Sequence, residues 1–117
     1  MIKDKVVLLP FPFDDLSAAK VRPAVCLTDP IGVHQHVILA FITSQKLPHP
    51  LQSDLVLDAD QPDFAQTGLK VSSTLRLHRM MTVTTSLILR ELGELSPRMS
   101  VEVANRLQHL FGLCGHR

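Results

Sequence analysis

The sequence predicts a small, mainly β fold, a β-barrel or strongly bent sheet closed by one C-terminal α-helix. Three observations carry this reading. Short apolar runs at Val6 to Leu9, Ala24 to Leu27 and Val37 to Ile42 are bounded by proline, glycine and polar clusters, as buried strands are. Val71 to Leu77 alternates with period two. Helical periodicity occurs only near the end, where Met99, Val103, Leu107 and Leu110 form one stripe.

In chain order, the first two runs enclose a polar stretch, Asp14 to Lys20, expected as a surface loop. Arg22 stands where that loop re-enters the fold, and Pro23 biases it toward extended backbone. Asp29 to Gly32 reads as a turn. Val37 to Ile42, rich in β-branched residues, reads as a central strand ending at Thr43-Ser44-Gln45. Lys46 to Ser53, with Pro48 and Pro50, is expected to be irregular, Asp54 to Asp58 a short strand, and Asp60 to Gly68 a loop or helical turn. Along Val71 to Leu77 the alternation sets Val71, Ser73, Leu75 and Leu77 on one face; Ser72, Thr74, Arg76 and His78 take the other. Thr82 to Thr85 is expected as a turn and Leu87 to Leu95 as a strand broken at Gly93. Ser96-Pro97 pairs an N-cap hydroxyl with proline at the first helical position, and the helix is expected to end near Gly112. In total, five to seven strands precede one helix.

At 117 residues, the chain is expected to be a single domain spanning 1–117, and its 45% hydrophobic content suffices for a compact core. A net charge of +1 argues against strong sequence-independent polyanion binding. The distribution says more. From Asp63 to Glu91 no acidic residue intervenes, yet Lys70, Arg76, Arg79 and Arg90 all fall there, which suggests a small anion site. Cys26 and Cys114 give no disulfide framework, so a reducing cytoplasm is the expected location. The four apolar residues ahead of Pro10 are too few for a signal-peptide core, and no run reaches membrane-spanning length.

No metal, redox or phosphate-loop motif is present: His34 and His36 lack further ligands at suitable spacing, and the glycines do not cluster. No metal or cofactor is therefore expected. What remains is Arg22, Thr43, Arg76 and His78, each at a strand end or on a strand's polar face. RNA carries its own nucleophile, the 2′-hydroxyl. An enzyme acting on it needs a base, an acid and cations for the phosphate. Arginine supplies charge in a two-pronged fork, histidine can carry a proton near neutral pH, and a threonine hydroxyl can donate to a phosphoryl oxygen. The plainer alternatives are an Arg22 paired with Asp14 or Asp15, a Thr43 hydroxyl satisfied by backbone, and a solvated His78.

Pro10-Phe11-Pro12-Phe13-Asp14-Asp15-Leu16 followed by Lys20-Val21-Arg22-Pro23 resembles the first hairpin of the MazF/PemK toxins, the growth-inhibiting half of type II toxin–antitoxin pairs. Ile42-Thr43-Ser44-Gln45, Thr67-Gly68-Leu69-Lys70, Leu75-Arg76-Leu77 and Leu92-Gly93-Glu94-Leu95-Ser96-Pro97 continue the likeness in order. The resemblance implies an SH3-like barrel with a terminal helix, a homodimer, and a metal-independent endoribonuclease acting on single-stranded RNA to leave 2′,3′-cyclic phosphate and 5′-hydroxyl ends. It places catalysis on Arg22 and Thr43, with His78 as candidate proton carrier and RNA contacts at Lys20, Ser44, Gln45, Lys70, Arg76 and Arg79. The implied partners are a cognate antitoxin, through which operator DNA could be reached, and messenger RNA. Two departures stand out. The Arg-x-Asp of the PemK-like branch is Arg76-Leu77-His78, and the usual Gly-Asp near the start is Asp4-Lys5. The first leaves a catalytically weakened relative as one alternative. Another is a non-catalytic binding toxin of the same fold, of the CcdB type that poisons DNA gyrase. That type uses a C-terminal Trp, and this chain has none.

Overall fold

A computed structural model describes residues 1–11 and 20–113. The Asp14 to Lys20 loop, apart from Lys20, lies outside the described residues, as do Asp14 and Asp15, the alternative partners of Arg22, and Cys114. Six strands are described: β1 (Lys5–Phe11), β2 (Lys20–Cys26), β3 (His36–Thr43), β4 (Asp54–Leu57), β5 (Ser73–Thr84) and β6 (Arg90–Glu94). One helix follows, α1 (Pro97–Leu110). The strands form one antiparallel, curled half-barrel sheet in the order β4-β5-β3-β2-β1-β6.

Both faces of the sheet's centre are buried, which explains why its strands read as continuous apolar runs. Val6, Val25, Ala40, Ile42, Leu75 and Leu77 pack on one face with Met99 and Val103 of α1. Their neighbours Val7, Leu9, Ala24, Cys26, Leu39 and Phe41 form a second core on the opposite face. Burial pushes the Cys26 thiol up to about 11, so at neutral pH it stays protonated and serves as a small core residue.

The helix begins where the Ser96-Pro97 signal sets it. Ser96 Oγ accepts from Met99 N at 3.1 Å and donates to Asp63 Oδ2 at 2.6 Å. Asp63 also takes two hydrogen bonds from Arg98, each 3.0 Å. These bonds tie the helix entry to the 3-10 turn Phe64–Thr67. The Arg98 and Ser96 hydrogen bonds hold the Asp63 carboxyl down at about 2. Of the helical stripe, Met99 and Val103 are buried and Leu107 packs at the core's edge, while Leu110 is exposed.

Three expectations are corrected. Thr82 to Thr85 is not a turn: β5 runs on to Thr84, with Thr82, Val83 and Thr84 opposite Ile38, Val37 and His36. β-branched residues fit a pleated surface, and Val83 is buried in the second core. The turn before β3 is Gly32 to Gln35, closed by an Ile31–His36 bridge, rather than Asp29 to Gly32. Gly32 and Gln35 take the positive φ values it needs. Finally, Leu87 belongs to a 3-10 turn, Thr85–Leu87, and β6 starts only at Arg90.

Candidate active site

A cavity of about 230 Å³ opens on the second-core face, lined by Phe11, Arg22, Phe41, Ile42, Thr43, Gln45, Leu47, Arg76 and Arg79. Strand geometry explains the meeting. β2 and β3 pair with Ala24 opposite Phe41, and the same register carried two residues on sets Arg22 level with Thr43. Both side chains share the parity of Ala24 and Phe41, so both fall on the second-core face. Phe11 and Phe41, with ring centroids 4.2 Å apart, supply the apolar part of the lining. Arg22 is half-buried.

Thr43 Oγ accepts the Gln45 backbone N–H at 3.1 Å. A hydroxyl accepting one bond can still donate its own proton, so this strand-end turn orients Thr43 and leaves it a donor. Arg76 stands on β5 opposite Asp54 of β4. Its Nε donates to Asp54 Oδ1 at 3.0 Å and its Nη2 to Oδ2 at 3.2 Å. Oδ2 also accepts from Leu51 N at 2.7 Å. Burial pushes the Asp54 carboxyl up. The Arg76 and Leu51 hydrogen bonds, with the charges of Arg76 and His78, outweigh that and hold it below the usual carboxylate range.

Arg79 reaches the cavity through an irregularity. Ile42 pairs with Leu75 but Ala40 with Met80, so four β5 residues lie across from Phe41 alone. A bulge of this kind breaks the alternation and re-aims a side chain. Arg76 and Arg79, three apart, therefore line one cavity, whereas Arg76 and His78 were expected to act together from one face.

The cavity brings together five of the expected residues: Arg22, Thr43, Gln45, Arg76 and Arg79. Lys20, Ser44, Lys70 and His78 are exposed and do not line it. Lys20 is nonetheless the partner of Phe11 in the β1–β2 register, and Ser44 follows Thr43, so both stand near the rim. Among the described residues, all charged side chains in the lining are arginines. The arrangement can neutralise an anion from several sides and offer it a hydroxyl donor, beside an apolar surface. Sequence reasoning missed Asp54, Leu47 and the phenylalanine pair. The short β4 was visible, but nothing local says which strand its first carboxylate will oppose. Among the described residues no three His, Cys, Asp or Glu side chains gather into a metal-binding group, and no helix is long and apolar enough to cross a membrane.

A family model described as PemK-like, MazF-like toxin of type II toxin–antitoxin system matches residues 3–111. Solved structures share the architecture. The Mycobacterium tuberculosis toxin MazF-mt6 superposes with a TM-score of 0.70 at 19% identity, covering 92% of this chain and 96% of that one. A mycobacterial endoribonuclease in complex with its cognate antitoxin gives 0.67 at 13% identity, covering 97% and 96%. A further mycobacterial endoribonuclease gives 0.67 at 12%, covering 99% and 95%. At such identities the likeness speaks for the fold. Comparison with curated proteins gives no match.

Proposed function

Because the chain belongs to the PemK-like, MazF-like toxin family of type II toxin–antitoxin systems, we propose that it is a cytoplasmic toxin that cleaves single-stranded RNA without a metal ion. The convergence of Arg22, Thr43, Arg76 and Arg79 on one cavity is the observation that carries this reading. In the proposed step, the 2′-oxygen attacks the adjacent phosphorus while a base takes its proton. The P–O5′ bond breaks and O5′ leaves with a proton, giving a 2′,3′-cyclic phosphate and a 5′-hydroxyl. Arg22 would hold the charge that builds on the phosphoryl oxygens, and Thr43 would donate a hydrogen bond to one of them. Arg76, Arg79 and Gln45 would grip the phosphate and its neighbours, with Lys20, Ser44 and Lys70 attracting the chain from outside.

His78 remains the proposed proton carrier. Because it is exposed and outside the lining, the role requires the substrate to reach from the cavity onto the open face of β5. The expected partner is an antitoxin whose acidic segment occupies the same basic cavity, with operator DNA reached only through it, and the toxin itself is expected to be a homodimer.

The test incubates purified protein with a mixed-sequence RNA with and without EDTA, maps the cut, and identifies both ends. Cleavage should survive chelation, and a single 2′-deoxy substitution at the cut should abolish it. No cleavage, or cleavage lost on chelation and restored by magnesium or manganese, would overturn the proposal.

A further inference from the structure

Asp54 serves no step of the proposed chemistry, yet it is the most enclosed charged group beside the cavity. Its side chain is 2% exposed against 21% for Arg76. Its contacts all restrain it. Its carboxylate takes two bonds from Arg76 and one from Leu51 N. Its backbone carbonyl accepts from Arg106 Nη1 of α1 at 3.0 Å, which also donates to the Gln52 carbonyl at 2.6 Å. Arg106 is in turn paired with Glu102 at 3.1 Å. The chain entering β4 is thus clamped from the helix side as well as from β5.

A buried carboxylate would be a poor addition if the cavity needed only positive charge. It offsets one of three lining guanidiniums and weakens the pull on an anion. What it provides is direction. A guanidinium has five N–H donors, and Asp54 engages one on Nε and one on Nη2. Both bonds lie along one edge, so the fork is locked and three donors remain. From these contacts we infer that Asp54 is a positioning residue: it fixes the guanidinium of Arg76 in the cavity wall so that its remaining donors meet the RNA phosphate in one orientation. In this chain β5 carries His78 two residues after Arg76, and the carboxylate that faces Arg76 comes from the neighbouring strand instead.

The inference rests on the ribonuclease reading, and its test separates the two. Single-turnover cleavage at saturating RNA is compared for the parent, Asp54→Asn, Arg76→Ala and the double variant. Affinity for an uncleavable 2′-deoxy analogue is measured alongside, with folding checked by circular dichroism. Asp54→Asn should slow cleavage by about tenfold to a hundredfold, the usual effect of a misplaced group. Its affinity should hold or rise, because a negative charge has gone. A damaged fold would lower both. In the Arg76→Ala background, Asp54→Asn should change the rate less than about twofold, since a residue acting through another has nothing left to act on. Asp54→Glu keeps the charge but moves the carboxylate one methylene; it should also slow cleavage with affinity kept, and it serves if the Asn variant does not fold. Parental rates in both variants, or an undiminished Asp54→Asn effect without Arg76, would overturn the inference alone. A parent that cleaves no RNA would overturn the ribonuclease reading and this inference with it.

Discussion

Replacing Arg22 should damage catalysis more than replacing His78. Arg22 and Arg76 belong to one cavity that also holds Thr43, and Arg22 comes level with Thr43 when the β2–β3 register at Ala24–Phe41 is carried two residues on. Removing one preorganised donor from such a site typically costs about a hundred- to a thousandfold in rate, or roughly 3–4 kcal/mol. A unit charge about 4 Å from the developing charge, at an effective dielectric near 20, gives about 4 kcal/mol. The two estimates agree, so Arg22→Ala should fall about a hundredfold or more. Arg22→Lys should recover no more than about tenfold of that, because an ammonium keeps the charge but loses the fork. His78 is outside the lining, so His78→Ala should cost less, about tenfold. The fold should survive all three. Arg22 is half-buried in a β1–β2 ladder whose backbone bonds do not depend on its side chain. The assay is single-turnover cleavage of one mapped RNA, with circular dichroism and thermal melts on each variant. Near-parental rates in both Arg22 variants would remove Arg22 from the site. A His78→Ala defect larger than that of Arg22→Ala would reverse the assignment of the main catalytic group.

Two further outcomes concern stability. Gly68 has φ +74°, and a Cβ there would sit 2.1 Å from the Leu92 carbonyl oxygen, whereas Gly32 has φ +72° with nothing within 4 Å. Both alanine variants should lose roughly 1–2 kcal/mol of stability to left-handed strain, but Gly68→Ala must also push β6 off the Phe64–Thr67 turn. Its melting point should fall clearly below that of Gly32→Ala, and equal melting points would refute the packing argument. Asp63 is lowered from its ordinary 3.8 to about 2 by its bonds to Arg98 and Ser96. A depressed carboxyl stabilises the fold above its unfolded value, and this contribution is lost as pH falls from about 4 through about 2. Urea midpoints at pH 5 and pH 2.5 should therefore drop more for the parent than for Asp63→Asn, and parallel drops would sink the idea.

Local signals in the sequence located the cores of the strands, though not the far end of β5 or the start of β6, and they set where the helix begins. Apolar runs, β-branched residues and the Ser96-Pro97 cap are local signals, and local backbone preferences act over two to four residues. The sequence also placed Thr43 at a strand end, where β3 stops, whereas Arg22, expected where the loop re-enters the fold, is the third residue of β2, which pairing with β1 carries back to Lys20. Their meeting is another matter. Arg22 and Thr43 are brought level only by the β2–β3 register, which two buried cores enforce together. Period-two alternation put Arg76 and His78 on one face, but it has no means of foreseeing the β5 irregularity that brings Arg79 to the cavity. The extension of β5 through Thr84 was hidden for a related reason: its threonines suit a turn as well as a strand until β3 lies beside them. Asp54 was least visible of all, an ordinary acidic residue at the head of a short strand. Its burial is offset mainly by Arg76, twenty-two residues later and folded back opposite it, together with the nearby Leu51 N–H. Such a pairing is a property of the assembled sheet, since a buried charge is stabilised by the neighbour that tertiary structure supplies.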